Sequence, residues 1–302
     1  MTLTRAIVHW KLRTRTLELG RHTLVMGVVN ITPNSFSDGG TFLDPNAAVS
    51  HGLTLIEQGA DLLDLGAEST KPGSIVGTGN PAAVSAEEEQ ARLLPVIEGI
   101  LKTKPETVIS VDTYKSTTAR AALNLGSQII NDVSGFTWDP NLATVCAETG
   151  CGLVLMHTRG RPDEWRGQDK LTANALLTSV RSGLEQSLQQ AIHEGVAAES
   201  IVLDPGYGFG KKLDENYVLL ARQHELLALG HPLLAGVSRK SFLGHTLSDL
   251  FGGKPAPVEA RATAGTAALV TAILHGASIV RVHDVRPAVE AARIADAVLS
   301  AI

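Results

Sequence analysis

Met26-Gly27-Val28-Val29-Asn30-Ile31-Thr32-Pro33-Asn34-Ser35-Phe36-Ser37-Asp38-Gly39-Gly40 is an apolar run that ends in Asn and Thr and passes into a polar, glycine-hinged segment. The run reads as a buried strand, and the segment as the loop leaving its C-terminal end. An open doubly wound sheet would carry Gly-x-Gly-x-x-Gly at this first βα turn, and the motif is absent. A Gly-x-x-x-x-Gly-Lys-Ser/Thr phosphate loop is absent too. Working outward, short β-branched runs alternate with longer amphipathic ones, with no linker between them. Residues 5–20 read as an opening strand pair. Strands follow at about 23–30, 61–65, 107–111, 127–131, 152–156, 201–204, 233–237 and 279–283. Helical patterns lie between them at about 45–59, 85–104, 116–125, 140–149, 171–195, 214–229, 257–275 and 286–300. Eight strands alternating with eight helices predict an α/β fold: one (β/α)8 TIM barrel over residues 1–302 with an N-terminal strand pair. Two βα loops, 31–44 and 66–84, exceed the usual length and are rich in Gly, Pro, Ser and Thr, so they are expected to be flexible lids.

Composition narrows the function. The chain has 302 residues, 44% of them hydrophobic, enough to bury a large core. A formal charge of −5 and a pI near 6.1 argue against general binding to nucleic acid or anionic membranes. No apolar run approaches the roughly 18 residues of a membrane span, and no apolar core follows the basic N-terminal residues as a signal peptide requires. Cys146 and Cys151 make a poor disulfide framework and match no metal spacing. They read as buried thiols in a reducing cytoplasm.

In such a barrel the catalytic groups collect at the C-terminal ends of the strands. Polar residues stand there strand after strand: Asn30; Asp64 with Glu68 beyond it; Asp112; Asn131-Asp132; Met156-His157; Asp204; Ser238-Arg239-Lys240-Ser241; and Arg281-Val282-His283-Asp284. One Asp or Asn in such a place is ordinarily a cap or a solvated turn. Eight together mark a site. Arg281 and His283, two apart on a strand, face the same side. With Ser238 and Lys240 they suit a phosphate, and Asn30 adds the kind of oxygen ligand that Mg²⁺ prefers. The alternative for Arg281 and His283 is a surface ion pair with Asp284. Asp112, Asn131, Asp204 and Lys240 suit a flat heterocycle with a donor–acceptor edge. Asp204 would accept from a ring N–H and an exocyclic amine, Asn131 would give and accept, and Lys240 would donate to a ring carbonyl. The glycines of Asp204-Pro-Gly-Tyr-Gly-Phe-Gly-Lys211 allow close backbone approach, with Phe209 as a wall.

With these residues in place the chain resembles the dihydropteroate synthase family over essentially its whole length. The motifs are Asn30-Ile-Thr-Pro-Asn-Ser-Phe-Ser-Asp-Gly-Gly40, Glu68-Ser-Thr-Lys-Pro-Gly73, Ser110-Val-Asp-Thr-Tyr114 and Ile130-Asn-Asp-Val-Ser134. They continue with Leu155-Met-His157, Asp204-Pro-Gly-Tyr-Gly-Phe-Gly210, Ser238-Arg-Lys-Ser241 and Arg281-Val-His283. The resemblance implies a homodimer that joins 6-hydroxymethyl-7,8-dihydropterin pyrophosphate to p-aminobenzoate with Mg²⁺, releasing pyrophosphate, in folate synthesis. It implies that Asp112, Asn131, Asp204 and Lys240 hold the pterin, with Met156, Phe209 and Gly236 lining its slot. Asn30, Lys71, Ser238, Arg281 and His283 would hold pyrophosphate, Asn30 also the metal. Phe36, Thr70, Pro72, Lys240 and Ser241 would frame p-aminobenzoate. Asp112, Lys240 and Asp38 would be catalytic, Asp38 closing in from the first loop. Two positions depart from the family pattern: Lys71 replaces the Arg of Ser-Thr-Arg-Pro-Gly, and Asn34 the Asp of Thr-Pro-Asp-Ser-Phe. Lysine keeps the charge but loses the planar fork that grips phosphate twice. A pterin-binding paralogue that makes no bond and a pterin-dependent methyltransferase are the alternatives. Arg281-Val-His283, Ser238-Arg-Lys240 and the full first loop favour the synthase.

Overall fold

In the computed structural model, which describes residues 5–32, 44–77 and 80–301, the chain opens with an antiparallel pair, β1 (Val8–Lys11) and β2 (Thr16–Leu19). Eight parallel strands follow: β3 (Leu24–Asn30), β4 (Leu62–Gly66), β5 (Ile109–Asp112), β6 (Ile129–Asp132), β7 (Gly152–Met156), β8 (Ile201–Asp204), β9 (Leu233–Ala235) and β10 (Ala277–Val282). They close into a barrel in the order β10-β3-β4-β5-β6-β7-β8-β9, as expected from the sequence. The outer helices are α1 (Pro45–Glu57), α2 (Ala86–Thr103), α3 (Ser116–Leu125), α4 (Asn141–Thr149), α5 (Ala173–His193), α6 (Glu215–Arg222), α7 (Ser241–Thr246), α8 (Ala262–Leu274) and α9 (Val285–Ser300). Local chemistry sets their starts: Ser85 caps α2 through the Glu88 N–H at 3.1 Å, and three glutamates occupy the first turn.

Beyond shifts of one or two residues at element ends, three helical segments differ from the sequence reading. The pattern at 214–229 is α6 followed by a 3-10 segment, Gln223–Leu229, and that at 257–275 is a 3-10 turn followed by α8. α7 was not expected. Six residues are too few to show a helical period.

Strand periodicity sorts the core into shells. Leu63 and Leu65, Ile109 and Val111, Leu153 and Leu155, and Ile201 and Leu203 point outward into the main core beneath the helices. The alternate positions point inward. At the N-terminal end they are apolar: Met26, Leu62, Val108, Ile129, Val154, Val202, Leu234 and Ile279 pack with Trp10, Leu12 and Leu19. The opening strand pair therefore plugs that end, and the Trp10 indole N–H donates to the Ser200 carbonyl at 2.8 Å. Two residues further along, six of the eight strands carry Asp64, Ser110, Asn131, Met156, Asp204 and Arg281 at the inward position, while β3 carries Val28. The barrel is greasy at one end and polar at the other.

Candidate active site

The polar layer is tied together across strands. Asp64 on β4 is fully buried; its Oδ1 accepts the Ser110 hydroxyl at 2.6 Å, and its Oδ2 accepts Arg281 Nε at 2.5 Å and Asn131 Nδ2 at 3.1 Å. Arg281 Nη2 donates to Asp112 Oδ2 at 2.7 Å. The surface pair considered from sequence does not form, because Asp284 pairs with Arg239 at 2.7 Å instead. Two carboxylates share one guanidinium. Burial, reinforced by the charge of Asp64, pushes Asp112 up to about 7 despite Arg281 beside it. The same surroundings raise Arg281 further, because its two anionic partners outweigh its burial.

The opposite wall is built by the loop after β8 and by Lys240. Asp204 accepts the Gly206 N–H at 2.7 Å, and burial raises its carboxyl. Gly206 and Gly208 take φ of +72° and +82°, which suits a turn this tight only without side chains. A Cβ on Gly208 would lie 3.3 Å from the Lys240 stem, so the loop and that lysine pack directly. Lys240 Nζ lies 4.1 Å from the Phe209 ring centroid. Burial and the Arg281 charge bring its ammonium down to about 8. Met156 and Phe209 belong to one apolar patch with Tyr114, Val133 and Trp138. A Cβ on Gly236 would lie 3.9 Å from Asp204 Oδ2 and 4.0 Å from the Arg281 Cβ, so this position faces the same space. The residues expected to hold the pterin thus stand near one another at the polar end of the barrel.

The phosphate side is less charged than its residue types suggest. His283 Nδ1 lies 3.1 Å from the Ser238 hydroxyl. Burial, then Arg281, Arg239 and Lys240, push the imidazole down to about 3. His283 is neutral near pH 7 and offers hydrogen bonds, not charge. Asn30 stands exposed at the end of β3, and the next residue, Ile31, bonds to the Gly66 carbonyl at 2.7 Å. Among the described residues no group of three or more His, Cys, Asp or Glu could hold a metal. A single amide oxygen completed by phosphate and water fits Mg²⁺, which keeps several waters and needs few protein ligands.

The loop residues are placed less completely. Phe36, Asp38 and Asn34 lie outside the described residues. Thr70 is half-buried, Lys71, Pro72 and Ser241 are exposed, and among the described residues no hydrogen bond joins their side chains to the polar layer. The second loop is strapped down at its root. Lys115 Nζ pairs with Glu68 at 2.5 Å and Glu89 at 3.3 Å, and the Gly77 N–H donates to the Tyr114 hydroxyl at 2.9 Å. Gly73 N–H reaches the Pro162 carbonyl at 2.9 Å, so this loop also leans on the loop after β7. The sequence reading gave no separate role to two positions that the structure ties into the site. Asp64 was visible only as one strand-end carboxylate among several. Lys211 is buried, donates to the carbonyls of His157 at 3.2 Å, Gly206 at 2.7 Å and Phe209 at 3.3 Å, and fastens the wall loop.

Known proteins resemble this chain over most of its length. The family described as pterin binding enzyme matches residues 26–283. The dihydropteroate synthase of Mycobacterium leprae is 42% identical over 277 residues, 92% of this chain and 94% of that protein. Among solved structures, the Xanthomonas albilineans dihydropteroate synthase with 4-aminobenzoic acid superimposes with a TM-score of 0.84 at 38% identity, covering 98% of this chain and all of that one. The same enzyme in complex with 7,8-dihydropteroate gives 0.80 at 37% identity, covering 97% and 99%.

Proposed function

The chain belongs to the dihydropteroate synthases of the pterin binding enzyme family, and from that premise we propose that its polar barrel mouth is where pterin pyrophosphate meets p-aminobenzoate. As a transferase of folate biosynthesis it forms 7,8-dihydropteroate and releases pyrophosphate. The observation that supports the assignment of the site is the clustering of Asp112, Asn131, Asp204 and Lys240 at the polar end of the barrel, with Met156, Phe209 and Gly236 beside them. Asp204 receives the donors of the pterin's pyrimidine edge, Lys240 donates to its carbonyl, and Asn131 and Asp112 take the remaining edge.

Pyrophosphate leaves first, and positive charge grows on the pterin methylene carbon. Asp112 in its carboxylate form stabilises that charge from a buried position, where the interaction is strong. Arg281 stabilises the departing anion by charge, His283 and Ser238 by hydrogen bonds, and Lys71 approaches from the second loop. Asn30 would hold Mg²⁺, whose charge would supply neutralisation of the leaving group. Thr70, Pro72 and Ser241 frame p-aminobenzoate at the rim, with Phe36 and Asp38 from the first loop. Closure of the loops keeps water from the cation before the amine reaches it.

The same reading covers assembly and location. The homodimer that the family resemblance implies is compatible with a groove of about 540 Å³ between α6, α7 and α8, lined by Tyr217, Leu220, Leu243, Leu247 and Ala268. Among the described residues no helix is long and apolar enough to cross a membrane, and the free, buried Cys146 and Cys151 suit the cytoplasm. The deciding experiment incubates the purified chain with both substrates and Mg²⁺ and follows dihydropteroate and pyrophosphate. Both are expected. Tight pterin binding without either product would overturn the assignment in favour of a non-catalytic binder.

A further inference from the structure

Asp64 touches no opening of the site, yet it contacts two of the groups that do. Its two oxygens receive donors from three other strands: Ser110 on β5 at 2.6 Å, Asn131 on β6 at 3.1 Å and Arg281 on β10 at 2.5 Å. A carboxylate only accepts, so Asn131 must turn its NH2 toward Asp64 and its carbonyl oxygen away. Among the described residues that oxygen makes no hydrogen bond, and neither does Arg281 Nη1. An amide that could give or accept is thereby committed to accepting, and a guanidinium that could swing is pinned at Nε and Nη2.

We propose that Asp64 is a positioning residue for the pterin pyrophosphate, locking Asn131 as an acceptor and holding Arg281 with its remaining edge toward the diphosphate. The proposal rests on the assignment of the site made above. An acceptor at Asn131 selects a heterocycle that presents an N–H there. A guanidinium already in place needs no reorganisation as charge develops on the leaving group. Ser110 supports the arrangement by fixing the rotation of the carboxylate.

The test is calorimetric titration of the full chain with 6-hydroxymethylpterin and, separately, with pyrophosphate plus Mg²⁺, for the unaltered protein, Asp64→Asn and Ser110→Ala. An asparagine at position 64 lets Asn131 flip and removes the charge facing Arg281. Asp64→Asn should weaken both ligands by about tenfold to a hundredfold, with the KM for p-aminobenzoate within about twofold. Ser110→Ala keeps the charge but frees the carboxylate, and should weaken both by about two- to fivefold. A purely structural residue would lower the melting temperature and the active fraction while each folded molecule bound as before. Unchanged affinities in both variants overturn the proposal; should Asp64→Asn not fold, Ser110→Ala decides alone. If the unaltered chain binds neither ligand, the site assignment itself falls.

Discussion

The two ends of the barrel use the same strands for opposite purposes. At the N-terminal end the inward positions are Met26, Leu62, Ile129, Val154 and Ile279, closed over by Trp10, Leu12 and Leu19. Two residues further along, the inward positions include Asp64, Asn131, Met156 and Arg281, and three of these four are polar. The first layer lowers the free energy of folding by removing apolar surface from water. The second works against folding, since buried carboxylates and cations lose hydration that their partners only partly replace. The contrast teaches that stability and chemistry are separated along each strand, at a distance of one inward step.

Trp10→Ala should strike the closed end hardest, costing about 3–5 kcal/mol of stability through lost packing and the stranded Ser200 carbonyl. Denaturant melts measure that cost, and kcat of the folded fraction should stay within about twofold. A large fall in kcat would break the division between the ends. Asp112→Asn should do the reverse. It should lower kcat/KM by about 10²–10³ as transition-state charge stabilisation is lost. The midpoint of unfolding should hold or rise, because a buried charge is relieved.

The open end also predicts a pH profile. Asp112 must be ionised, so its contribution is present above about 7 and fades as pH falls through that value. Lys240 must be protonated, so its contribution is present below about 8 and fades as pH rises through it. A narrow bell in kcat/KM, falling about tenfold per unit on either side, is expected. A flat profile from pH 6 to 9 would remove these two groups from the chemistry. The smallest effect belongs to the exposed second loop: Lys71→Arg should leave turnover unchanged or raise it a few-fold, by restoring a two-pronged phosphate grip. A large fall in steady-state rate would give the lysine a role of its own.

Much of this was legible in the residues. Apolar runs alternating with amphipathic ones predicted the barrel because strand and helix periods are local properties of the chain. Asp112, Asn131 and Asp204 were recognisable because a polar residue at the end of an apolar run departs from its neighbours. The pair Asn131-Asp132 shows the limit. Adjacent strand residues face opposite ways, so Asn131 enters the site while Asp132 turns outward to accept the Ser134 N–H at 2.8 Å and the Phe136 N–H at 2.6 Å. The first loop, with Phe36, Asp38 and Asn34, stands on resemblance alone.

The order of elements, the strand ends where polar residues collect and the family motifs can all be read from the residues alone, because each is written in spacings of a few residues. It took the closed barrel to pair Arg281 with Asp64, 217 residues away, and not with Asp284, three away. The folded chain also makes His283 neutral and lets Lys115 strap the second loop through Glu68. The physical reason is closure. Which strands meet across the ring sets which charges share a dry interior, and neither pairing nor burial is encoded in any local stretch of chain.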